Sequence, residues 1–503
     1  MTVTSISAKS MMAVQSIMQT RAELDQLQAQ LGTGQKSTTY AGLGTGRGLS
    51  VTLNSQLSAL SSFDDTIAQL GVRLDIGQQT LGQIATLGAS VKTSALTSTF
   101  NLGGGGQTVE QTGAASSLDQ VLSLLNTKVG NRYMFSGSAT DAPTTASTDA
   151  ILNGDATHAG FKQVAAERLQ ADLGANGLGR LVAARTGPAL SISEDAAGSP
   201  FGFKISGITT NVTGATVTAP TGSPPSESIS FAGSSPAAGQ TVTLQLALPD
   251  GTSTKITLTA TTSTSPGPNE FTVGGSNGAT VNSLKAAVNT ALGTEAKTSL
   301  TAASAMAAAN NFFNIDASHP PQRVAGPPFA TATALRDGTS ADTVSWYTGE
   351  AGSDPARSTA SARVDPTISV SYGMRANEQA FTSMIGAMAV YATKTYSSSD
   401  PNASAAYAAM SQRVVTLLDG PPGQQKVSDI EAELAGAQTT IAATKDRHAQ
   451  TSATVTDMLQ SITGVSPEEV GTKILALQTS LQATLQTTAM MYQTSILNYL
   501  PNG

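Results

Sequence analysis

Cysteine is absent from the 503-residue sequence, which excludes disulfides, thiolate nucleophiles and cysteine-based metal sites. Histidine is scarce: His158, His319 and His448 lie too far apart to form a ligand or catalytic motif, and each is expected to be structural. Charged residues make up only 12% of the chain and aromatic residues 4%. The bulk is Ala, Ser, Thr, Gly and Gln, small residues that pack closely but give each element little buried area. Such a chain is expected to gain stability by burying faces against copies of itself. Lysine and arginine form no cluster, and the net charge of −7 argues against a nucleic-acid partner. No apolar run reaches the roughly 18 residues of a membrane-spanning helix. The opening "MTVTSISAKSMMAVQSIMQT" lacks the basic segment, apolar core and small-residue cleavage site of a secretory signal, so any export is expected to follow a route that reads none.

What is present is periodicity, concentrated at both ends. A helix is expected from near Ile6 to Leu31, where Ile17, Leu24 and Leu31 recur every seven residues. A second, from about Leu49 to Leu96, places Leu60, Phe63, Ile67, Leu70, Leu74, Gly77, Leu81, Ile84, Gly88 and Val91 in alternating steps of three and four, the pattern of a coiled-coil seam. Gly77 and Gly88 on that seam would permit close backbone approach. A third helix carries Leu118, Val121, Leu122, Leu125 and Val129 on one face and ends at "VGNRYMFSG" (129–137).

From about 140 to 370 Pro, Gly, Ser and Thr rise and helical periodicity fades. "GQTVTLQLALPDGTSTKITLTATT" (239–262) reads as a hairpin turning at "PDG", with strands also expected in 201–210, 227–233 and 269–276. Helices are expected around 282–297 and 300–313, and "DASHPPQRVAGPPFA" (316–330) reads as a loop. Helices return at 374–396 and 401–420. A long one follows, with Val427, Ile430, Leu434, Ala437, Ile441, Thr444, His448, Thr451, Val455, Met458 and Ile462 again in steps of three and four. "GVSPEEV" (464–470) breaks it and starts the last helix, with Ser466 as N-cap and Pro467 at the first helical position. That helix carries Ile474, Leu477, Leu481, Leu485 and Ile496, up to "SILNYL" ending at Leu500.

The expected fold class is α+β: long N- and C-terminal helices form a coiled-coil or helical-bundle rod, and the middle is a β-rich domain. The expected boundaries are 1–45 and 466–503 for the inner helical segments, 46–137 and 371–465 for the rod helices, and 138–370 for the middle. An isolated long seam has nothing to pack against, so Leu49–Leu96 is expected to pair with Val427–Ile462.

The stretch "LGTGQKSTTYAGLGTGRGLS" (31–50) invites a phosphate-loop reading, but no Lys follows Gly46 or Gly48 and a helix, not a strand, precedes Gly32. A dinucleotide fingerprint lacks its βαβ setting in the same way. The flanks make the stretch a connector between helices, with Gly42, Gly44, Gly46 and Gly48 as a hinge. No acid–base pair stands out: Asp64 and Asp65 read as a solvated part of the long helix, and Glu468 and Glu469 favour a helix dipole. "NVT" (211–213) and "NAS" (402–404) match a glycosylation sequon that is often met by chance. No catalytic residue, cofactor or metal is expected. The seams carry the functional signal. Ile17, Leu24, Leu31, Leu60, Ile67, Leu74, Leu81, Ile430, Leu434, Ile441, Leu477, Leu481, Ile496 and Leu500 are the expected packing and assembly positions, and the terminal helices are segments that fold on assembly.

Both ends of the chain, roughly 1–137 and 374–503, resemble the bacterial flagellin family, including the hook-associated proteins of the hook–filament junction. "LDQLQAQLGTGQKSTTYAGLGTGRGLSVTLNSQLSAL" resembles that family's amphipathic helix, its "L-x-[ST]-G" turn and the start of its long helix. "NRYMFSGSATDAP" (131–143) resembles the "R-Y-x-F-S-G" turn of junction proteins and some flagellins, and "SILNYL" the family's apolar ending. The resemblance implies an inner-tube domain of terminal helices, a rod of long helices and an outer variable domain. It also implies a structural role without catalysis, export in the unfolded state with the help of the export apparatus and a secretion chaperone, and polymerisation outside the cell. The implied partners are copies of the chain and neighbouring hook and filament proteins, with no nucleic acid and no membrane insertion. The chain departs from the family where an acidic "D-D" pair is common: "YAGLGTGRG" stands there instead. "IATLGASVKTSAL" (84–96) lacks the Arg/Glu-rich pattern read by innate immune receptors, so that interaction is not carried over. The alternative reading is a secreted, adhesin-like surface protein with coiled-coil ends.

Overall fold

A computed structural model describes residues 3–316 and 318–497. In chain order come α1 (Val3–Thr33), a 3-10 segment (Tyr40–Gly46), α2 (Arg47–Thr97) and α3 (Val109–Leu125). The two-residue strands β1 (Lys128–Val129) and β2 (Arg132–Tyr133) precede α4 (Thr148–Asn153) and α5 (Phe161–Leu173). Strands β3 (Leu181–Thr186), β4 (Ala189–Glu194), β5 (Lys204–Thr210), β6 (Thr216–Thr221) and β7 (Ser226–Ser230) follow. Then come β8 (Thr241–Ala247), β9 (Ser253–Thr261), β10 (Glu270–Thr272), α6 (Asn277–Glu295) and α7 (Thr301–Phe313). Short strands β11 (Gln322–Val324), β12 (Leu335–Asp337), β13 (Ser361–Asp365) and β14 (Ile368–Ser371) lead to α8 (Gln379–Thr393), α9 (Ala403–Leu418), α10 (Val427–Thr463) and α11 (Pro467–Leu497). The fold is therefore α+β.

The chain divides into two compact units. The first comprises the described parts of Met1–Gly71, Arg363–Val370 and Thr439–Gly503, and the second Val72–Ala362 and Ser371–Gln438. The second holds two four-stranded sheets. One is antiparallel throughout, in the order β3-β4-β7-β6. The other has the order β10-β9-β8-β5, with β10 parallel to β9 and the remaining pairs antiparallel. The β8–β9 hairpin follows directly from alternation: Val242, Leu244 and Leu246 are buried on one strand and Ile256, Leu258 and Ala260 on the other. Its turn uses Gly251 at φ +81°, while the Asp250 carboxylate accepts from the Thr252 N–H at 3.0 Å. Inward residues of both sheets meet Val281, Leu284 and Leu292 of α6 in one core.

Beside that core lies a helical layer. Ser276 caps α6 through the Ala279 N–H, and the helix runs through a π-helical turn (Ala296–Leu300) into α7. α7 is buried on nearly every side, which its alanines permit by letting neighbours approach closely. Its end joins Phe312 and Phe313 to Phe161 and Trp346 in an aromatic cluster with ring centroids 4.9–5.9 Å apart. α3 starts with a reciprocal capping box between Thr108 and Gln111, whose amide also donates to the carbonyls of Tyr391 and Lys394 at 2.8 Å.

Several expectations need correction. α3 stops at Leu125, so Val129 belongs to β1 and not to the helix face. The helix expected from 374 begins only at Gln379, because Arg375 is pinned in a bridge to Ser136 and Ala376–Asn377 form a turn: the Ala376 N–H donates to the Phe135 carbonyl at 2.8 Å, the Glu378 N–H to the Arg375 carbonyl at 3.1 Å and the Arg375 N–H to the Glu378 carboxylate at 3.1 Å. The middle also contains α5 and the β3–β4 hairpin, neither of which the periodicity predicted.

Candidate assembly surfaces

The terminal helices of the first unit present a narrow apolar stripe to each other. On α1 the sheltered positions step through Ala13, Ile17, Thr20, Leu24 and Leu27, and on α11 through Val470, Ile474, Leu477, Leu481 and Thr484. The end of α1 lies at the start of α11, so the two run antiparallel. Among the described residues only Leu27, Val470 and Ile474 are fully buried there, with Leu24, Val465 and Leu477 packed around them. Other described apolar side chains face outward: Met11, Met12, Met18, Leu475 and Met490 are 65–69% exposed. Leu31, expected on the seam, is 45% exposed, and Leu485 and Tyr492 are exposed as well. Ile496 belongs to α11 by its backbone, but its side chain and all of Leu500 lie outside the described residues.

The glycine connector is tied to the turn between α10 and α11. Gln35 and Gly464 form an antiparallel bridge, the Lys36 N–H donates to the Thr463 carbonyl at 2.7 Å, and the Val465 N–H donates to the Gly34 carbonyl at 3.1 Å. Lys36 Nζ adds bonds to the carbonyls of Ser461 (3.3 Å) and Ile462 (3.0 Å). These carbonyls end α10, where a cation also favours the helix dipole. Gly44 sits at φ +55°, ψ −124°, a conformation closed to other residues. A Cβ on Gly46 would lie 2.8 Å from the Ile462 Cγ2, and one on Gly42 2.2 Å from the Ser37 Oγ. Gly48 meets no such neighbour. Across the turn, Ser466 Oγ accepts from the Glu469 N–H at 3.3 Å and donates to the Glu468 carboxylate at 2.7 Å. That bond lowers the Glu468 pKa, and the Lys473 ammonium does the same for Glu469.

In each unit α2 contacts α10 in the antiparallel sense. Within the first unit, Ile67 and Ile441 are buried, Leu60 is half-buried, and Asp64 Oδ1 lies 2.8 Å from His448 Nδ1. Asp64 is thus engaged on the seam, where a solvated position was expected. The other ring nitrogen of the buried His448 lies 3.3 Å from Asp365 Oδ2, so each nitrogen faces a carboxylate. Asp365 is held well below the usual carboxylate range, chiefly by the Thr367 N–H. Within the second unit, Leu74, Leu81, Ile430 and Leu434 are buried, Gln78 Nε2 donates to the Glu431 carbonyl at 2.8 Å, and Gln438 Nε2 to Asp75 at 2.8 Å. What approaches the seam glycines is methionine: a Cβ on Gly77 would lie 3.2 Å from Met374 Cε, and one on Gly88 2.8 Å from Met384 Cε.

"RYMFSG" forms a pinned loop in the second unit. Phe135 packs edge-on against Phe381 at 5.8 Å, Ser136 bridges to Arg375, and the Gly137 N–H donates to the Met374 carbonyl at 2.9 Å. His158 and His319 each lean on the aspartate three residues earlier, at 2.8 Å from Asp155 and 2.9 Å from Asp316. Among the described residues no group of three or more His, Cys, Asp or Glu is placed to hold a metal ion, and no helix is long and apolar enough to cross a membrane.

The expected seam positions Ile67, Leu74, Leu81, Ile430, Leu434 and Ile441 are consumed inside the chain. Among the described residues, the reverse of α1 and α11 keeps apolar side chains exposed, chiefly methionines that the seam reading passed over. The signal for them was the out-of-phase clusters "SMM" and "AMMY". No protein-family model matches the chain, and no curated protein matches it.

Proposed function

We propose that the chain is a structural subunit of the bacterial flagellum, a flagellin-type filament subunit or a hook–filament junction protein, with no catalytic role. It is exported unfolded, served by the export apparatus and a secretion chaperone, and assembles outside the cell with copies of itself or neighbouring hook and filament proteins. In this reading α2 and α10 form a coiled-coil rod, α1 and α11 an inner layer, and the sheet-rich part of the second unit an outer domain.

One observation carries the reading. Among their described side chains, two helices of 31 residues each bury three apolar ones between them and leave Met11, Met12, Met18 and Leu475 more than 60% exposed. An apolar surface of that kind at a chain end is stable once a partner covers it. The resemblance of "RYMFSG" and of the connector to the flagellin family supports the same conclusion.

Deletion of residues 1–40 or 470–503 is the test. The truncated chain is expected to keep the thermal transition of its second unit and to lose polymerisation, and normal polymerisation would overturn the proposal. Copy counting by quantitative mass spectrometry separates the two roles: a single ring's worth per flagellum means junction, a vastly larger number means filament.

A further inference from the structure

A cleft of about 270 Å³ in the second unit lies between the middle of α2, the "RYMFSG" loop and the segment after β14. Arg73 and Arg132 line it together with Tyr133, Ser138 and Tyr372, over a floor that includes the buried Met374. Each guanidinium has one modest anchor: Arg73 Nη1 donates to Tyr372 Oη at 3.2 Å, and Arg132 Nε to Thr140 Oγ1 at 3.0 Å. A guanidinium has five N–H donors, so most of both forks remain for another acceptor. Among the described residues neither arginine belongs to an ion pair, and the lining contains no carboxylate. Glu350 stands behind the wall, its Oε2 taken by the Ser138 N–H at 2.7 Å. Lys128, over the Tyr133 ring at 4.4 Å, adds a third cation to the same hairpin. Tyr372 Oη accepts from Arg73, which leaves its own O–H to donate.

In a chain of net charge −7, two arginines that line one concavity without a carboxylate partner there make a candidate anion site. We propose that this cleft binds a carboxylate carried on an apolar stem. The charge is met by Arg73 and Arg132, the second oxygen by the Tyr372 hydroxyl, and the stem by Tyr133 and Met374. Two sources supply that chemistry: a free small carboxylic acid, or an Asp or Glu side chain on a second copy of this chain. The site is independent of the flagellar reading.

Calorimetric titration of the full chain with glutarate tests it, alongside Arg73→Gln and Arg132→Gln, with sedimentation velocity of all three proteins. Saturable glutarate binding, weakened at least tenfold in each variant, is expected for a free acid. If the source is another copy, self-association of the wild type is inhibited by glutarate and weakened in both variants. Absence of glutarate binding with unchanged self-association of the variants overturns the proposal, and so does equal affinity for inorganic phosphate, which has no stem. Both arginine side chains lie at the surface of the cleft, so unchanged melting curves are expected to show that the variants fold.

Discussion

Among the described residues, the twelve largest fully buried side chains, from Trp346 and Tyr391 through nine phenylalanines to Leu74, all belong to the second unit, whereas the terminal helices of the first bury only Leu27, Val470 and Ile474 together. Both are built from the same Ala-, Ser- and Thr-rich composition. The second unit closes because aromatic side chains, rare in the chain, are gathered where sheets and helices meet, and each contributes a large buried area. Among its described residues the first has stripes and one ring contact, Phe63 against His448, but no aromatic core. An amphipathic helix draws most of its stability from packing its apolar face, so apolar area left exposed on it adds none. The difference teaches that one chain can gather its large side chains into one unit and, among the described residues, leave apolar side chains of two long helices exposed.

The comparison breaks most sharply at the aromatic cluster. Phe313 is buried against Phe161, Phe312 and Trp346, and its carbonyl accepts from the Trp346 indole N–H at 2.9 Å. Phe313→Ala is expected to cost about 3–5 kcal/mol through lost contacts and a cavity. Trp346 is the single tryptophan of the chain and lies in the second unit, so its fluorescence in a urea titration reads that unit alone. A loss below about 1 kcal/mol would mean that the cluster does not hold the unit together.

The next effect concerns Glu227, which sits on β7 in register with Ile192 of β4, on the same face as the buried Ile229, with neither carboxylate oxygen hydrogen-bonded. Burial pushes its pKa up from 4.5 to about 7. The folded-state value is raised, so the stability held by the neutral acid is fully present below pH 4.5 and is lost as pH climbs through 7. A shift of that size corresponds to about 3 kcal/mol at alkaline pH. The urea midpoint by Trp346 fluorescence is expected to fall between roughly pH 5 and 8.5, and Glu227→Met to flatten the profile. An equally steep profile in the variant would assign the pH dependence to other groups.

A smaller effect is expected in the first unit. Gly44→Val forces a branched side chain into φ +55°, ψ −124°, a strain of about 1–3 kcal/mol. The readout is faster amide exchange at Lys36 and Val465, whose N–H groups tie the connector to the α10–α11 turn. Trp346 fluorescence is expected not to change, and if it does, the two units do not unfold separately.

Much of this architecture was legible in the residues, for identifiable reasons. Steps of three and four in α2 and α10, and alternation in β8 and β9, survive because those faces are buried along most of their length. α5 was missed because its buried face carries charge: Glu167, Arg168 and Asp172 lie inside with Phe161 and Val164, neutralised by Arg323 on β11 and by each other. A periodicity search reads such positions as solvent. The β3–β4 hairpin hides because Ala183 and several serines dilute the alternation of Leu181, Leu190 and Ile192. The cleft at Arg73 was beyond reach, since it joins α2, the "RYMFSG" loop and Tyr372, segments brought together only by the fold.

The smallest effect on stability is expected where the surface argument is strongest. Met12 on α1 is 69% exposed, so Met12→Ser removes apolar area already in water. A substitution of this kind changes stability by less than about 0.5 kcal/mol. If the reverse faces of α1 and α11 are covered in a polymer, the same side chain is buried there, and its loss then costs about 1.5–3 kcal/mol per subunit. The ratio between the two measurements is the informative quantity: a silent monomer melt together with a raised critical concentration for assembly places Met12 in an interface. An unchanged critical concentration would leave Met12 an ordinary exposed methionine and remove it from any interface.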